Sequence, residues 1–67
     1  MRKIILQEEG QEIEARVTEI ANRHQNQFKL SFKDGYENIF YTDVETGNWV
    51  EEDLGFTSLA TEAGKQL

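Results

Sequence analysis

The chain has 67 residues, enough for a single small domain, and its apolar residues, 37% of the total, must nearly all serve one core. It contains no cysteine, which excludes disulfides, thiol nucleophiles and thiolate zinc sites. Its apolar runs are far shorter than the roughly 18 residues of a membrane helix or the roughly 7 of a signal-peptide core. We therefore expect one cytoplasmic domain, residues 1–67, that does not enter a membrane.

The charge is unevenly distributed along the chain. The formal net charge is −6 at pH 7: residues 1–33 carry six basic and five acidic residues, a net of +1, whereas residues 34–67 carry eight acidic residues against Lys65, a net of −7. A domain of this sign repels phosphate backbones, so nucleic acid is not an expected partner. Solubility explains the acidic excess more simply than a dedicated ligand does.

The first half of the chain predicts two strands. An apolar run predicts a strand over residues 2–6, and Gly10 indicates a turn after it. Residues 12–18 alternate polar and apolar side chains, which predicts a half-buried strand over residues 12–21. The same segment also has apolar residues at helical spacing, so a helix is the alternative. We favour the strand because Ala15 fits the alternation and because the strands that follow need an antiparallel neighbour.

A hairpin is predicted over strands at residues 27–33 and 36–44. Asp34-Gly35 is a strong hairpin signal, because glycine readily adopts the positive φ that the turn requires. A two-residue loop there sets Leu30 opposite Ile39 and Phe28 opposite Tyr41. The predicted core face then carries Phe28, Leu30, Phe32, Ile39 and Tyr41. Tyr36 and Phe40 fall on the opposite face.

A second hairpin and a helix complete the predicted elements. Glu45-Thr46-Gly47 predicts a three-residue loop before a strand over residues 48–53, with Asp43 opposite Trp49 and with Trp49 on the core face beside Ile39 and Tyr41. Thr57 or Ser58 is the expected N-cap of a helix over residues 57–66. Its apolar stripe consists of Leu59, Ala63 and Leu67.

These elements predict an α+β, mainly β, domain. Its sheet is a four- to five-stranded antiparallel meander, and one C-terminal helix packs on the apolar face because a meander alone leaves that face exposed. A sheet curled into a small open barrel, with the helix at one end, is the alternative architecture.

Two groups of side chains are candidate interaction surfaces. The first combines the aromatic residues Tyr36 and Phe40 with Lys29 and Lys33, on the face that the helix does not cover. Burial of these aromatics by the N-terminal strand or by barrel closure is the simpler interpretation. The second group consists of acidic residues near the second hairpin: Asp43, Glu45, Glu51, Glu52 and Asp53.

Neither group predicts catalysis. Clustered carboxylates occur in divalent-metal sites and glycosidases, but the chain lacks the spacing of an EF-hand loop and the length for a sugar-sized cleft. The single histidine, His24, has no acid or nucleophile among its neighbours, so an exposed loop residue is expected. The sequence therefore assigns no catalytic, cofactor-binding or metal-ligating residue and predicts a protein that is not an enzyme.

Three functions remain open. The leading one is a small protein-interaction or adaptor domain with an unidentified protein partner, either monomeric or forming a weak homodimer through a sheet edge. The second is an acidic mimic or inhibitor that binds a basic protein surface. The third is a divalent-metal-binding or small catalytic domain, which needs the acids or His24 gathered in a pocket.

Overall fold

A computed structural model describes residues 2–20 and 27–67, and within them the chain forms one sheet and one helix. The five strands are all antiparallel and follow one another in chain order. They curl into a half-barrel against the helix, as the α+β prediction and its barrel alternative anticipate. His24 and the last residue of the predicted second strand lie outside the described residues. The elements are β1 (Arg2–Glu8), β2 (Gln11–Ile20), β3 (Gln27–Phe32), β4 (Glu37–Thr42), β5 (Trp49–Glu51) and α1 (Ser58–Gly64).

The ambiguous segment is a strand, which confirms the favoured interpretation of its alternating pattern. Ala15 and Val17 of β2 are buried, whereas Arg16 between them is exposed. A two-residue turn joins β1 to β2, and both of its residues, Glu9 and Gly10, have positive φ values of 51° and 77°. Such turns match the right-handed twist of paired strands.

The core lies on the concave face of the sheet. Strand residues supply most of it, and α1 contributes Ala60 and Ala63, both fully buried. The helix contacts β1 and β5, the first and last strands, and its buried residues share the core cluster on the concave face. No helix within residues 2–20 and 27–67 is long and apolar enough to cross a membrane. The buried strand residues that form the core cluster are Ile4, Leu6, Ala15, Val17, Phe28, Leu30 and Phe40.

The predicted register of the first hairpin is wrong by one residue. Phe28 pairs with Phe40 rather than with Tyr41. The loop has three residues, 33–35, and is closed by the Phe32 amide, which donates a hydrogen bond of 2.9 Å to the Tyr36 carbonyl. The Asp34 side chain accepts a hydrogen bond of 2.9 Å from the Tyr36 amide, which stabilises this longer loop.

The one-residue shift exchanges the two faces of β4. Phe40 has no exposed surface and lies in the core. Ile39 and Tyr41, predicted to be core residues, lie on the convex face instead, because successive residues of a strand point to opposite faces.

The second hairpin is also one residue longer than predicted. Thr42 pairs with Trp49, and a four-residue loop over 44–47 is closed by the Asp43 amide, which donates to the Asn48 carbonyl at 2.8 Å. Trp49 lies on the core face, as expected. Its aromatic neighbour is Phe28, with ring centroids 5.9 Å apart, and not Tyr41.

The helix begins where the sequence indicates. Thr57 is the N-cap, and its hydroxyl oxygen accepts a hydrogen bond of 2.9 Å from the Ala60 amide. Gly64 in the last turn packs directly against the Trp49 indole, and a Cβ atom at this position would overlap the ring. Glycine is therefore required here by close packing, despite its low helix propensity.

Candidate functional site

Glu51 is the one charged residue among those described that is buried, with 2% of its surface exposed. Its carboxylate accepts hydrogen bonds from the Tyr36 and Thr57 hydroxyls, and at 3.3 Å from the Asn38 amide. Tyr36 and Asn38 bind one oxygen and Thr57 binds the other. These donors compensate for removing the carboxylate from water, a loss that is otherwise large for a charged group.

The fold explains how these groups meet. Glu51 follows Trp49 by two residues in β5, so both side chains point to the concave face. Asn38 points to the same face from β4, and Thr57 caps α1. The Glu51 network, meaning Glu51 with Tyr36, Asn38 and Thr57, therefore connects two strands, the loop before β4 and the start of the helix.

The hydrogen bonds of the Glu51 network give it a structural role. All of its donors are neutral, and both carboxylate oxygens are occupied by side chains of the fold. The hydrogen bond to Glu51, together with partial burial, raises the pKa of Tyr36 above its ordinary value of 10.0. Tyr36 therefore remains a protonated donor at neutral pH.

The structure does not bring the first candidate surface together. Phe40 is in the core, and Tyr36 is bonded to Glu51 on the concave side. Lys29 lies on the convex face, where its ammonium is 3.5 Å from the Glu37 carboxylate, and Lys33 lies 3.9 Å from Glu14. The predicted grouping depended on the two-residue loop and is wrong for that reason.

The acidic group is divided by the fold. Glu51 is buried, contrary to its predicted place on an acidic surface, because its period-two relation to Trp49 turns it inward. Glu45, Glu52 and Asp53 are exposed and Asp43 is half-buried. Within residues 2–20 and 27–67, no three histidine or carboxylate side chains lie close enough to hold a metal ion.

Between these acids the chain exposes large apolar side chains. Val44 is 81% exposed, Leu54 60% and Phe56 61%. Val44 and Phe56 line a shallow depression of about 350 Å³. Its other apolar lining residues are Tyr41 and the buried Val50. We call Val44, Leu54 and Phe56 the β5 patch.

Sequence reasoning missed the β5 patch, although one signal was present. Leu54 and Phe56 lie between the predicted last strand and the helix, outside the apolar pattern of either. Large apolar residues in a connection have no core position to explain them. Val44 was predicted to end a strand. It lies instead in the loop of the second hairpin, where its side chain is exposed.

A larger cleft opens at the rim of the half-barrel. It has a volume of about 490 Å³, and its apolar walls come from Ile5, Ile13, Phe32 and Leu59. Its charged lining residues, Glu12, Glu14, Lys33 and Asp34, belong to exposed or half-exposed surface. No buried polar group converges on it from the described residues, so the cleft does not have the features of a specific small-molecule site.

Comparisons with protein-family models, curated proteins and solved structures return no match to this chain.

Proposed function

We propose that the protein is a non-enzymatic protein-interaction domain that docks a partner through the β5 patch. The exposure of Val44, Leu54 and Phe56 is the observation that carries this proposal. A chain of 67 residues needs its apolar side chains for the core, yet these three are each at least 60% exposed. Val44 and Phe56 line one depression, and Leu54 lies two residues before Phe56 in the same connection. Exposed apolar side chains in one region are typical of protein-binding surfaces.

The surrounding charge indicates the chemistry of the partner. Asp43 and Glu45 flank Val44 in the chain, and Glu52 and Asp53 directly precede Leu54. Residues 34–64 contain no lysine or arginine, so no basic side chain of this segment neutralises the acids. The complementary partner is a protein segment with apolar anchors flanked by lysine or arginine.

The Glu51 network supports a non-enzymatic function. The buried carboxylate would be the strongest candidate for acid–base catalysis, but its hydrogen bonds hold the fold together and its oxygens face donors from the protein itself. Both candidate cavities are lined mainly by exposed or half-exposed side chains.

The acidic-mimic hypothesis uses the same carboxylates but not the apolar side chains. A mimic binds a basic surface through charge alone, so its affinity falls steeply with salt and does not depend on Leu54 or Phe56. Docking through the β5 patch depends on both the apolar centre and the acids. This difference separates the two functions experimentally.

Selection from a displayed library of random peptides tests the proposal. We expect the wild-type domain to enrich peptides with large apolar residues beside lysine or arginine. The double variant Leu54→Ser/Phe56→Ser should no longer bind these peptides, because the large apolar residues of the peptides lose the side chains that they contact. Ile5→Ser, which removes an exposed apolar side chain from β1, is the matched control and should retain it. Enriched peptides that bind the double variant as tightly as the wild type would refute docking at the patch.

A further inference from the structure

The two edges of the sheet differ in their protection. β5 has three residues, and its outer side is partly occupied because Glu51 and Gly55 exchange backbone hydrogen bonds of 2.9 Å. β1 has seven residues and pairs only with β2 among the described strands. The helix also contacts β1, where Ile4 and Leu6 of its concave face share the core cluster with Ala60 and Ala63. A long edge strand without proline is able to pair with another strand.

We propose that β1 pairs antiparallel with β1 of a second copy of this chain, with a two-fold axis passing through Ile5. The two half-barrels would then share one continuous sheet. This interface is separate from the β5 patch, which lies at the other end of the strand order.

The charges of β1 are complementary to themselves in the antiparallel direction. Arg2 and Lys3 lie at its start, and Glu8 lies at its end with Glu9 in the turn that follows. Antiparallel pairing places the basic end of one copy beside the acidic end of the other. Parallel pairing would place like charges together, which is destabilising.

The pleat of the strand selects the register. In a sheet that continues across a two-fold axis, opposite residues must point to the same face. Pairing Ile5 with Ile5 of the second copy satisfies this condition and uses all seven residues of β1. It sets Arg2 opposite Glu8 of the second copy, and Ile4 opposite Leu6.

Two side chains are suited to this pairing. Ile5 at the centre is 43% exposed on the convex face and would contact its own symmetry mate. Glu8 accepts a hydrogen bond of 2.8 Å from Ser58 through one carboxylate oxygen, whereas its other oxygen is buried without a partner among the described residues. Pairing brings the Arg2 guanidinium of the second copy to the same face as this carboxylate.

Sedimentation equilibrium of the full chain tests the interface. We expect the mean mass to rise from one chain towards two between about 10 μM and about 1 mM, the range of a weak association. Ile5→Lys should raise the dissociation constant at least about tenfold, because two ammonium groups would meet at the axis. The Leu54→Ser/Phe56→Ser variant should leave it unchanged. A mass of one chain throughout, or equal weakening by both variants, would overturn the proposal.

A charge exchange tests the register itself. Arg2→Glu and Glu8→Arg should each prevent association of the variant with itself, because like charges then meet twice. An equimolar mixture of the two variants should form a heterodimer, since every end pair is again of opposite sign. Thermal unfolding of each variant alone establishes that both chains are folded. Self-association of either variant as tight as the wild type's, or a mixture of folded variants that stays monomeric, would contradict the Ile5-centred register.

Discussion

The Thr57 hydroxyl donates a hydrogen bond to the buried Glu51 carboxylate, and the same oxygen accepts the Ala60 amide as the N-cap of α1. One side chain thus connects the last strand to the start of the helix. Because α1 lies against both β1 and β5, this connection fixes the helix against the first and last strands of the sheet.

Removing the Glu51 carboxylate should destabilise the domain strongly. Glu51→Ala leaves the hydroxyls of Tyr36 and Thr57 without their acceptor, and we expect it to lower the free energy of unfolding by about 2–4 kcal/mol. Glu52→Ala, at the exposed neighbouring position, is the matched control and should change it by less than about 0.5 kcal/mol. Urea unfolding followed by circular dichroism measures both. Similar values for the two variants would show that the Glu51 network does not hold the helix to the sheet.

The pKa of Tyr36 predicts a loss of stability at alkaline pH. The folded chain retains the Tyr36 proton to higher pH than the unfolded chain, whose tyrosines ionise near 10.0. The unfolded state therefore binds fewer protons in this range, so the contribution of Tyr36 is complete below pH 10 and is lost as pH rises through the folded pKa. Unfolding free energies of wild type and Tyr36→Phe, measured from neutral to alkaline pH, should converge above pH 10. A constant difference between them would contradict this linkage.

Gly64→Ala should destabilise the chain although alanine favours helices. In an exposed helix this substitution gains about 1 kcal/mol. Here the new methyl group would overlap the Trp49 ring, and forcing apart a packed contact loses about 1–3 kcal/mol. In a Trp49→Ala background the ring is absent, so Gly64→Ala should no longer destabilise. A double-mutant cycle of unfolding free energies measures this coupling, and additivity of the two substitutions would refute the contact.

Phe40 and Tyr41 provide a test of the hairpin register. Phe40→Ala should lower the free energy of unfolding by about 3–5 kcal/mol, because Phe40 is fully buried in the core. Tyr41→Ala, on the convex face, should have a clearly smaller effect. Comparison of the two melting curves is sufficient, and a larger effect at Tyr41 would restore the register that the sequence alone predicts.

The sequence predicted the elements better than their registers. Alternation in β2 and the cap at Thr57 are local properties, and the structure confirms both. Loop lengths depend on finer interactions: the Asp34-Gly35 pair fits a two-residue or a three-residue loop, and the bond from the Tyr36 amide to the Asp34 side chain stabilises the longer one. Because the loop is one residue longer than predicted, Phe40 lies in the core, and Ile39 and Tyr41 lie on the convex face.

The candidate site was less predictable for a related reason. The hydrogen-bond donors to Glu51 come from three other segments of the chain, so no local sequence pattern predicts a buried carboxylate at this position. Only its spacing from Trp49 indicated an inward side chain. The β5 patch was detectable in principle, because Leu54 and Phe56 had no place in either neighbouring apolar pattern.

Nuclear magnetic resonance mapping of a bound peptide tests docking at the β5 patch most directly. A peptide enriched by the wild-type domain is titrated into the isotopically labelled chain, and amide and methyl shifts are followed. The proposal predicts that the largest changes occur at Val44, Leu54 and Phe56, with smaller ones at the flanking acids. Changes centred instead on the cleft lined by Ile13, Phe32 and Leu59, with the patch unaffected, would contradict it.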